Sequence, residues 1–233
     1  VTATGAENLT RVPRTVDEAQ AAVWGRVPTL GAETVALEGA LSRVLRANVL
    51  ADRDLPPFDR AAMDGFAVRA EDAPVAGARL RVTGEIRAGV WPDRAVGARE
   101  AMRIMTGAPV PEGANAVIQV ERTRIQRTPP GDPEVLLETP VTSGQNIVPR
   151  GSEAKAGAVL LSEGVRIGAA HLAVLASVGH IEPLVSRRPR VAVIVTGDEG
   201  VDPGTRPNAA QIRNANGPAL LVAPVLSYDG EVD

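Results

Sequence analysis

The apolar positions of this chain change their spacing as it proceeds, and each change predicts a different kind of element. Residues 1–12 are small and polar with no period, which predicts a loose tail. Thr15-Val16-Asp17-Glu18 then has the spacing of a capping box, with Thr15 as N-cap. Ala19, Ala22 and Val23 follow at helical spacing, so a helix is expected to about Arg26 with these three on its inner face, ended by Pro28 and Gly31. Residues 34–37 read as a short strand and 39–45 as a short helix with Leu41, Val44 and Leu45 inward. Residues 48–52 read as extended chain.

Between residues 66 and 149 the pattern becomes short β-branched runs separated by Gly and Pro. Strands are expected at 79–84, 101–105, 116–121 and 135–138, the signature of a small all-β unit, barrel or sandwich. The polar stretch 126–133, with its Pro-Pro-Gly, reads as a hairpin tip or exposed loop. Mixed structure returns after Gly144-Gln145-Asn146-Ile147, which opens a turn. A strand is expected at 158–161. A helix is expected at 167–178, with Leu172, Leu175 and Val178 inward and Gly179 as a left-handed cap. Residues 190–195 form a continuous apolar run, which suits a parallel strand buried on both faces. Thr196-Gly197-Asp198-Glu199 lies just beyond its carboxyl end, where ligands bind in open α/β sheets. Asn214 to Pro218 reads as a helix start, with Pro218 near the first turn and the helix reaching about Ser227 before a turn at Asp229-Gly230.

The stretch from Asp54 to Val68 holds the most unusual choices. Pro56-Pro57 is stiff and lacks two backbone donors. Phe58 is one of only two phenylalanines. Asp59 and Asp64 flank a small apolar turn, and Gly65 permits backbone that other residues resist. Two readings stand: a pre-positioned acidic loop, or a stiffened connection with solvated aspartates.

Composition narrows the chemistry. The chain has 233 residues, enough for one sizeable core or two or three small ones. Aromatics are only 2%, so the core is built from Ala, Val, Leu and Ile. A net charge of −3 with both signs interspersed gives no electrostatic case for nucleic acid or an anionic membrane. Lys155 is the only lysine, so nearly all the positive charge is guanidinium. With no cysteine, disulfides, thiolate metal sites and cysteine nucleophiles are excluded. The N-terminus has no basic start followed by an apolar run, and no stretch approaches a membrane span, so a cytoplasmic location is the default expectation.

His171 and His180, the only histidines, read as structural. No Walker loop, dinucleotide fingerprint or Ser-His-Asp arrangement is legible. Chemistry therefore rests on carboxylates, hydroxyls, backbone amides and a hard metal. Mg²⁺ suits that inventory, with Asp59, Asp64, Asp198 and Glu199 as candidate oxygen donors. The alternative for the last two is that Asp198 caps the following turn and Glu199 is solvated. Thr106, at the end of a predicted strand, offers a hydroxyl in a turn whose N–H groups could form an anion nest; the alternative is an ordinary β-turn. Arg103 either neutralises an anion or pairs with an acidic neighbour.

Pro57-Phe58-Asp59-Arg60-Ala61-Ala62-Met63-Asp64-Gly65-Phe66-Ala67-Val68 resembles the signature of the MoeA-type molybdopterin molybdenumtransferases, relatives of the E domain of gephyrin. Arg103-Ile104-Met105-Thr106-Gly107-Ala108-Pro109-Val110-Pro111-Glu112-Gly113-Ala114 matches next in order. Arg188-Pro189-Arg190-Val191-Ala192-Val193-Ile194-Val195-Thr196-Gly197-Asp198-Glu199 and Gln211-Ile212-Arg213-Asn214-Ala215-Asn216 follow as the family has them. The likeness runs from about Thr15 to the last residue.

The resemblance implies an α/β multidomain fold. A mixed α+β domain (13–54 with 150–186) would carry an inserted barrel-like β domain (55–149) and be followed by an incomplete start (187–233) of a doubly wound molybdopterin-binding domain. It implies insertion of molybdenum from molybdate into adenylylated molybdopterin with release of AMP. Asp64, Thr106 and Glu199 would be catalytic; Asp59, Arg103, Gly107 and Glu153 would bind substrate; Asp198 and Glu199 would hold Mg²⁺. It further implies a homodimer with the site shared between subunits, and no activity for this stretch alone. Three positions depart from the family pattern: Val148 stands where a basic residue is common, Glu153 replaces an aspartate, and Gly200 replaces an apolar residue, which is expected to loosen the turn at Glu199. A non-catalytic dimerising scaffold is the alternative reading, and a metal hydrolase sharing only the β domain is a weaker third.

Overall fold

The computed structural model describes residues 15–126, 133–228 and 231–232. The expectations for the tail at 1–12, most of the loop at 126–133 and the turn at Asp229-Gly230 lie outside them.

Helix α1 (Val16–Trp24) begins where the capping box places it. The Thr15 hydroxyl accepts the Glu18 N–H at 3.2 Å, and the Glu18 carboxylate accepts the Thr15 N–H at 2.9 Å. The expected inner face is not realised: no residue of α1 is buried, and Val23 is 61% exposed. A capping box needs only residues three apart, whereas burial needs a surface to pack against.

Strand β1 (Ala32–Thr34) precedes the position expected for it. In place of a helix at 39–45 there is a single 3₁₀ turn, Leu37–Ala40. Ser42 then takes a positive φ of 64°, which stops helical continuation. Val44 and Leu45 instead make antiparallel bridges to Arg166 and Val185, and Leu41 is left exposed. The chain continues through β2 (Val49–Leu50), β3 (Arg60–Ala61), β4 (Gly65–Val68), β5 (Arg79–Ile86), β6 (Glu100–Ile104), β7 (Ala116–Gln119), β8 (Thr123–Gln126) and β9 (Glu134–Leu137). Then come β10 (Ile147–Val148), β11 (Val159–Leu161), α2 (Ala169–Ser177), β12 (Leu184–Ser186), β13 (Arg190–Val191), β14 (Gly200–Val201), β15 (Ile212–Arg213), α3 (Asn216–Tyr228) and β16 (Glu231–Val232).

Six strands form one sheet in the order β7-β4-β6-β5-β9-β8, antiparallel except for β5 with β6. The two edge strands are consecutive in the chain, joined by the three residues Val120–Arg122. Such a link reaches about 14 Å, whereas the edges of a flat six-stranded sheet lie about 24 Å apart. The sheet is therefore rolled. Strand β4 lies between β6 and β7, and all four of its residues are buried. Phe66 and Val68 join one core cluster with Leu80, Ile118 and Leu137; Ala67 joins the other with Ile86, Met102 and Ile104.

A third core gathers residues from before and after this sheet: Leu45 and Val49 with Leu161, Ile167, Leu175 and Val185. Helix α2 supplies Leu175, which is fully buried, and ends as expected, with Gly179 at φ 68°. His171 is structural, its Nδ1 accepting the Gly168 N–H at 2.9 Å to close the start of α2.

The apolar run at 190–195 is corrected by the structure. Only Arg190 and Val191 are strand, paired in parallel with Glu231 and Val232. Ile194 is 84% exposed and Val195 43%. Burial on both faces requires neighbouring strands and covering layers, and the described residues supply one two-residue neighbour. Helix α3 starts at Asn216 with Pro218 as its third residue, and Asn214 Oδ1 accepts the Gly217 N–H at 2.9 Å.

Candidate active site

Register in the rolled sheet builds the first group. Gly65 of β4 pairs with Ile104 of β6, so Asp64, just before β4, faces the turn just after β6. There the Asp64 Oδ1 accepts the Thr106 N–H at 2.7 Å and the Thr106 hydroxyl at 2.6 Å. Both bonds hold the Asp64 carboxyl below the usual aspartate range, the hydroxyl contributing most, and the Arg103 guanidinium adds to the effect. The pair is exposed to solvent. Arg103 is exposed on β6 and has no ion-pair partner among the described residues. Of the two readings of Arg103, no close ion pair with an acidic neighbour forms among the described residues, and its charge acts on Asp64 from a longer distance.

The anion nest expected around Thr106 is closed. The Thr106 N–H is taken by Asp64, the Gly107 N–H by the Ala61 carbonyl at 2.8 Å, and the Ala108 N–H by the Met105 carbonyl at 3.0 Å. A side chain, strand β3 and the turn's own Met105 carbonyl thus take the three donors that an oxyanion would need. Gly107 itself has φ 80°, a left-handed conformation that favours glycine.

Asp59 and Glu153 lie on the other side of the same loop. Asp59 Oδ1 accepts the Arg150 N–H at 2.7 Å, and Asp54 Oδ2 accepts Arg150 Nε at 2.7 Å. Asp54 Oδ1 also takes the Ala156 N–H at 3.1 Å, and these bonds hold the Asp54 carboxyl low. Glu153 pairs with Arg60 at 2.7 Å. Asp59 and Glu153 thus tie the Pro-rich lead-in, whose Leu55–Pro56 peptide is cis, to the segment 150–156. Val148 sits in β10, paired with Arg60 of β3. Phe58 stacks edge-on against Trp91 with ring centres 5.7 Å apart.

The second group lies between β13 and β14. Gly197 has φ 141°, and a Cβ there would stand 2.8 Å from both Glu199 carboxylate oxygens, so the glycine makes room for that side chain. The Glu199 carbonyl accepts the Ile212 N–H at 2.8 Å, which ties the acidic turn to β15. Gly200 is part of β14 with ordinary backbone angles, so it does not loosen this turn. Glu199 lines a cavity of about 470 Å³ together with Thr196, Gly197, Ile212, Asn214 and Asn216. Asp198 is outside that lining. Neither carboxylate makes a hydrogen bond or ion pair among the described residues, so Asp198 does not cap the following turn. No group of three His, Cys, Asp or Glu side chains converges as a metal site among those residues. No hydrogen bond or ion pair among them joins the Asp64–Thr106 group to the Asp198–Glu199 group.

Sequence reading missed Arg150 as the partner of two aspartates, because separations of 91 and 96 positions carry no local signal. It also missed β4, a fully buried strand, although Phe66-Ala67-Val68 is a short apolar run.

Comparison with known proteins places this geometry. Residues 14–179 match the family model for the MoeA N-terminal region (domain I and II). A molybdopterin molybdenumtransferase of Staphylococcus aureus is 38% identical over 215 residues, covering 90% of this chain and 50% of that protein. One of Bacillus subtilis is 38% identical over 210 residues, covering 88% and 49%. The chain thus spans about half the length of the curated relatives it matches. A solved molybdopterin biosynthesis MoeA protein from Pyrococcus horikoshii superposes with a TM-score of 0.76 at 37% identity, over 93% of this chain and 55% of that one. A second structure of the protein from that species gives 0.75 at 34% identity, over 87% and 54%. With residues 14–179 matched by that family model, this chain belongs to the MoeA family and covers its N-terminal region.

Proposed function

We propose that this chain is part of a molybdopterin molybdenumtransferase that inserts molybdenum from molybdate into adenylylated molybdopterin and releases AMP. Its membership of the MoeA family, whose curated relatives bear that name, is the observation that carries the reading. In this reading residues 13–54 and 150–186 form one discontinuous domain, 55–149 an inserted barrel-like domain, and 187–233 the start of a molybdopterin-binding domain. The enzyme acts as a cytoplasmic homodimer, which brings Asp64 and Thr106 of one subunit toward the acidic turn of the other.

Asp64 is held anionic near neutral pH, so it serves as a fixed negative charge and acceptor rather than as a proton donor. It accepts a hydrogen bond from the Thr106 hydroxyl, which turns the hydroxyl lone pairs outward as acceptors. Arg103, exposed and unpaired, is then the oxyanion donor at this end of the sheet. Asp59, Gly107 and Glu153 act on substrate by positioning the loop that carries these groups. Asp198 and Glu199 offer unengaged carboxylate oxygens in a solvent-accessible turn, a donor set that fits Mg²⁺, which takes one or two carboxylates and keeps waters. These two side chains would hold Mg²⁺, which would supply charge neutralisation for phosphate oxygens.

The test is reconstitution of cofactor formation from adenylylated molybdopterin and molybdate by the intact protein. Asp64→Asn and Glu199→Gln are expected to lose most turnover while keeping wild-type circular dichroism. Wild-type turnover in both variants overturns the residue assignments. Absence of molybdate-dependent product with the unaltered protein overturns the reaction and favours a scaffold.

A further inference from the structure

Five arginines from separate parts of the chain line one cavity of about 290 Å³: Arg43, Arg46, Arg166, Arg187 and Arg188. None of them belongs to the Asp64–Thr106 group or to the Glu199 cavity. Tertiary pairing brings them together. Val44 bridges Arg166, Ser186 N–H donates to the Val44 carbonyl at 2.8 Å, and the Arg187 N–H donates to the Gly31 carbonyl at 2.8 Å.

Backbone carbonyls anchor three of the guanidiniums. Arg43 Nε donates to Ser186 O at 3.1 Å, Arg46 Nη1 to Leu30 O at 3.3 Å, and Arg166 Nε to Ser42 O at 3.2 Å. A carbonyl fixes a guanidinium without cancelling its charge. Carboxylates reach only two of the five: Glu33 pairs with the buried Arg43, and Glu163 stands 3.7 Å from Arg46. Arg166, Arg187 and Arg188 meet no carboxylate among the described residues, so three positive charges stay uncompensated at one place in a chain of net charge −3. Both terminal nitrogens of Arg166 remain free to donate. The walls between them are apolar, from Leu30, Val44, Pro189 and the arginine stems.

We propose that this cavity is a binding site for a small organic phosphate, with the phosphate among Arg166, Arg187 and Arg188 and an apolar body against Leu30, Val44 and Pro189. Arginine forks match phosphate oxygens in pairs, and anchored guanidiniums lose little freedom on binding. The volume, at the low end of the roughly 300–1,000 Å³ of ligand pockets, limits the occupant to a body of one or two rings. The bound phosphate would also pin the 187–189 connector against the turn at 42–46.

Isothermal titration of the intact protein with phenyl phosphate tests the site. One site per chain is expected, binding with a Kd below ~1 mM, while inorganic phosphate binds more weakly and phenol not at all. The double variant R187Q/R188Q, changed at two exposed positions, should weaken binding at least about tenfold. Glu199→Gln should leave it unchanged, which separates this site from the proposed active site. Absence of saturable heat to ~10 mM ligand, equal affinity in R187Q/R188Q, or loss of binding in Glu199→Gln overturns the proposal.

Discussion

Asp64 and Thr106, 42 residues apart, share two hydrogen bonds through a single carboxylate oxygen, at 2.7 Å from the amide and 2.6 Å from the hydroxyl. The amide bond survives any substitution at position 106 except proline, so the hydroxyl can be removed alone. Thr106→Val keeps the volume and the β-branch. It is expected to raise the Asp64 pKa toward the ordinary aspartate value, read by carboxyl NMR titration, because the largest cause of its depression is gone. In the proposed reaction the variant should lower kcat more than KM, whereas Thr106→Ser should keep near wild-type turnover. An Asp64 pKa unchanged in Thr106→Val would show that the hydroxyl does not hold the charge.

Acid should unfold this protein in part through Asp54 and Asp64. Both have folded-state pKa values below those of the unfolded chain, Asp54 chiefly through the Ala156 N–H and then Arg150, and Asp64 chiefly through Thr106. Their contribution is fully present above the unfolded aspartate value of about 3.9, and it is lost as pH falls through the lower folded values, because the unfolded state binds more protons in that window. Urea midpoints should therefore fall below about pH 4, and less steeply in the Asp54→Asn/Asp64→Asn double variant than in the wild type. Parallel curves would remove both groups from the linkage.

Two glycines near the candidate site should respond differently to a methyl group. A Cβ at Gly65 would lie 1.8 Å from the Ile118 carbonyl oxygen of the paired strand β7, hydrogen-bonded backbone that has little room to withdraw. Gly65→Ala should cost more than about 2–3 kcal/mol, with a matching drop in the urea midpoint. A Cβ at Gly200 meets only the Gly197 carbonyl oxygen, at 3.4 Å, and its φ is ordinary. Gly200→Ala should stay within about 0.5 kcal/mol of wild type or gain slightly from reduced freedom of the unfolded chain. Equal effects at the two positions would contradict the strand packing described for β4.

Asp59 anchors the 150–156 segment through the Arg150 amide, and the two are 91 residues apart. Asp59→Ala should cost about 1 kcal/mol and sharply increase hydrogen exchange at the Arg150 amide. Glu153→Ala, which breaks a largely exposed ion pair to Arg60, should cost less, about 0–1 kcal/mol. A larger loss in Glu153→Ala than in Asp59→Ala would reverse this ranking.

The amino-acid sequence by itself determined the features that rest on neighbours a few residues apart. The Thr15–Glu18 capping box, helix α2 with Gly179 at its end, and the strands at β5, β6, β7 and β9 follow from spacing and from φ preferences. Tertiary structure alone decided which faces are buried and which charges meet. Strand β4 became fully buried because β6 and β7 flank it, and the run at 190–195 is largely exposed because it meets only one short neighbour. The nest at Thr106 closed because β3 came close enough to take the Gly107 amide. Five arginines scattered between positions 43 and 188 became one charged cavity because Val44 pairs with Arg166 and Ser186. Capping and turn energies depend on local dihedrals that the residue types set directly. Burial and charge depend on the register between distant segments, and a one-residue shift there moves every side chain to the opposite face.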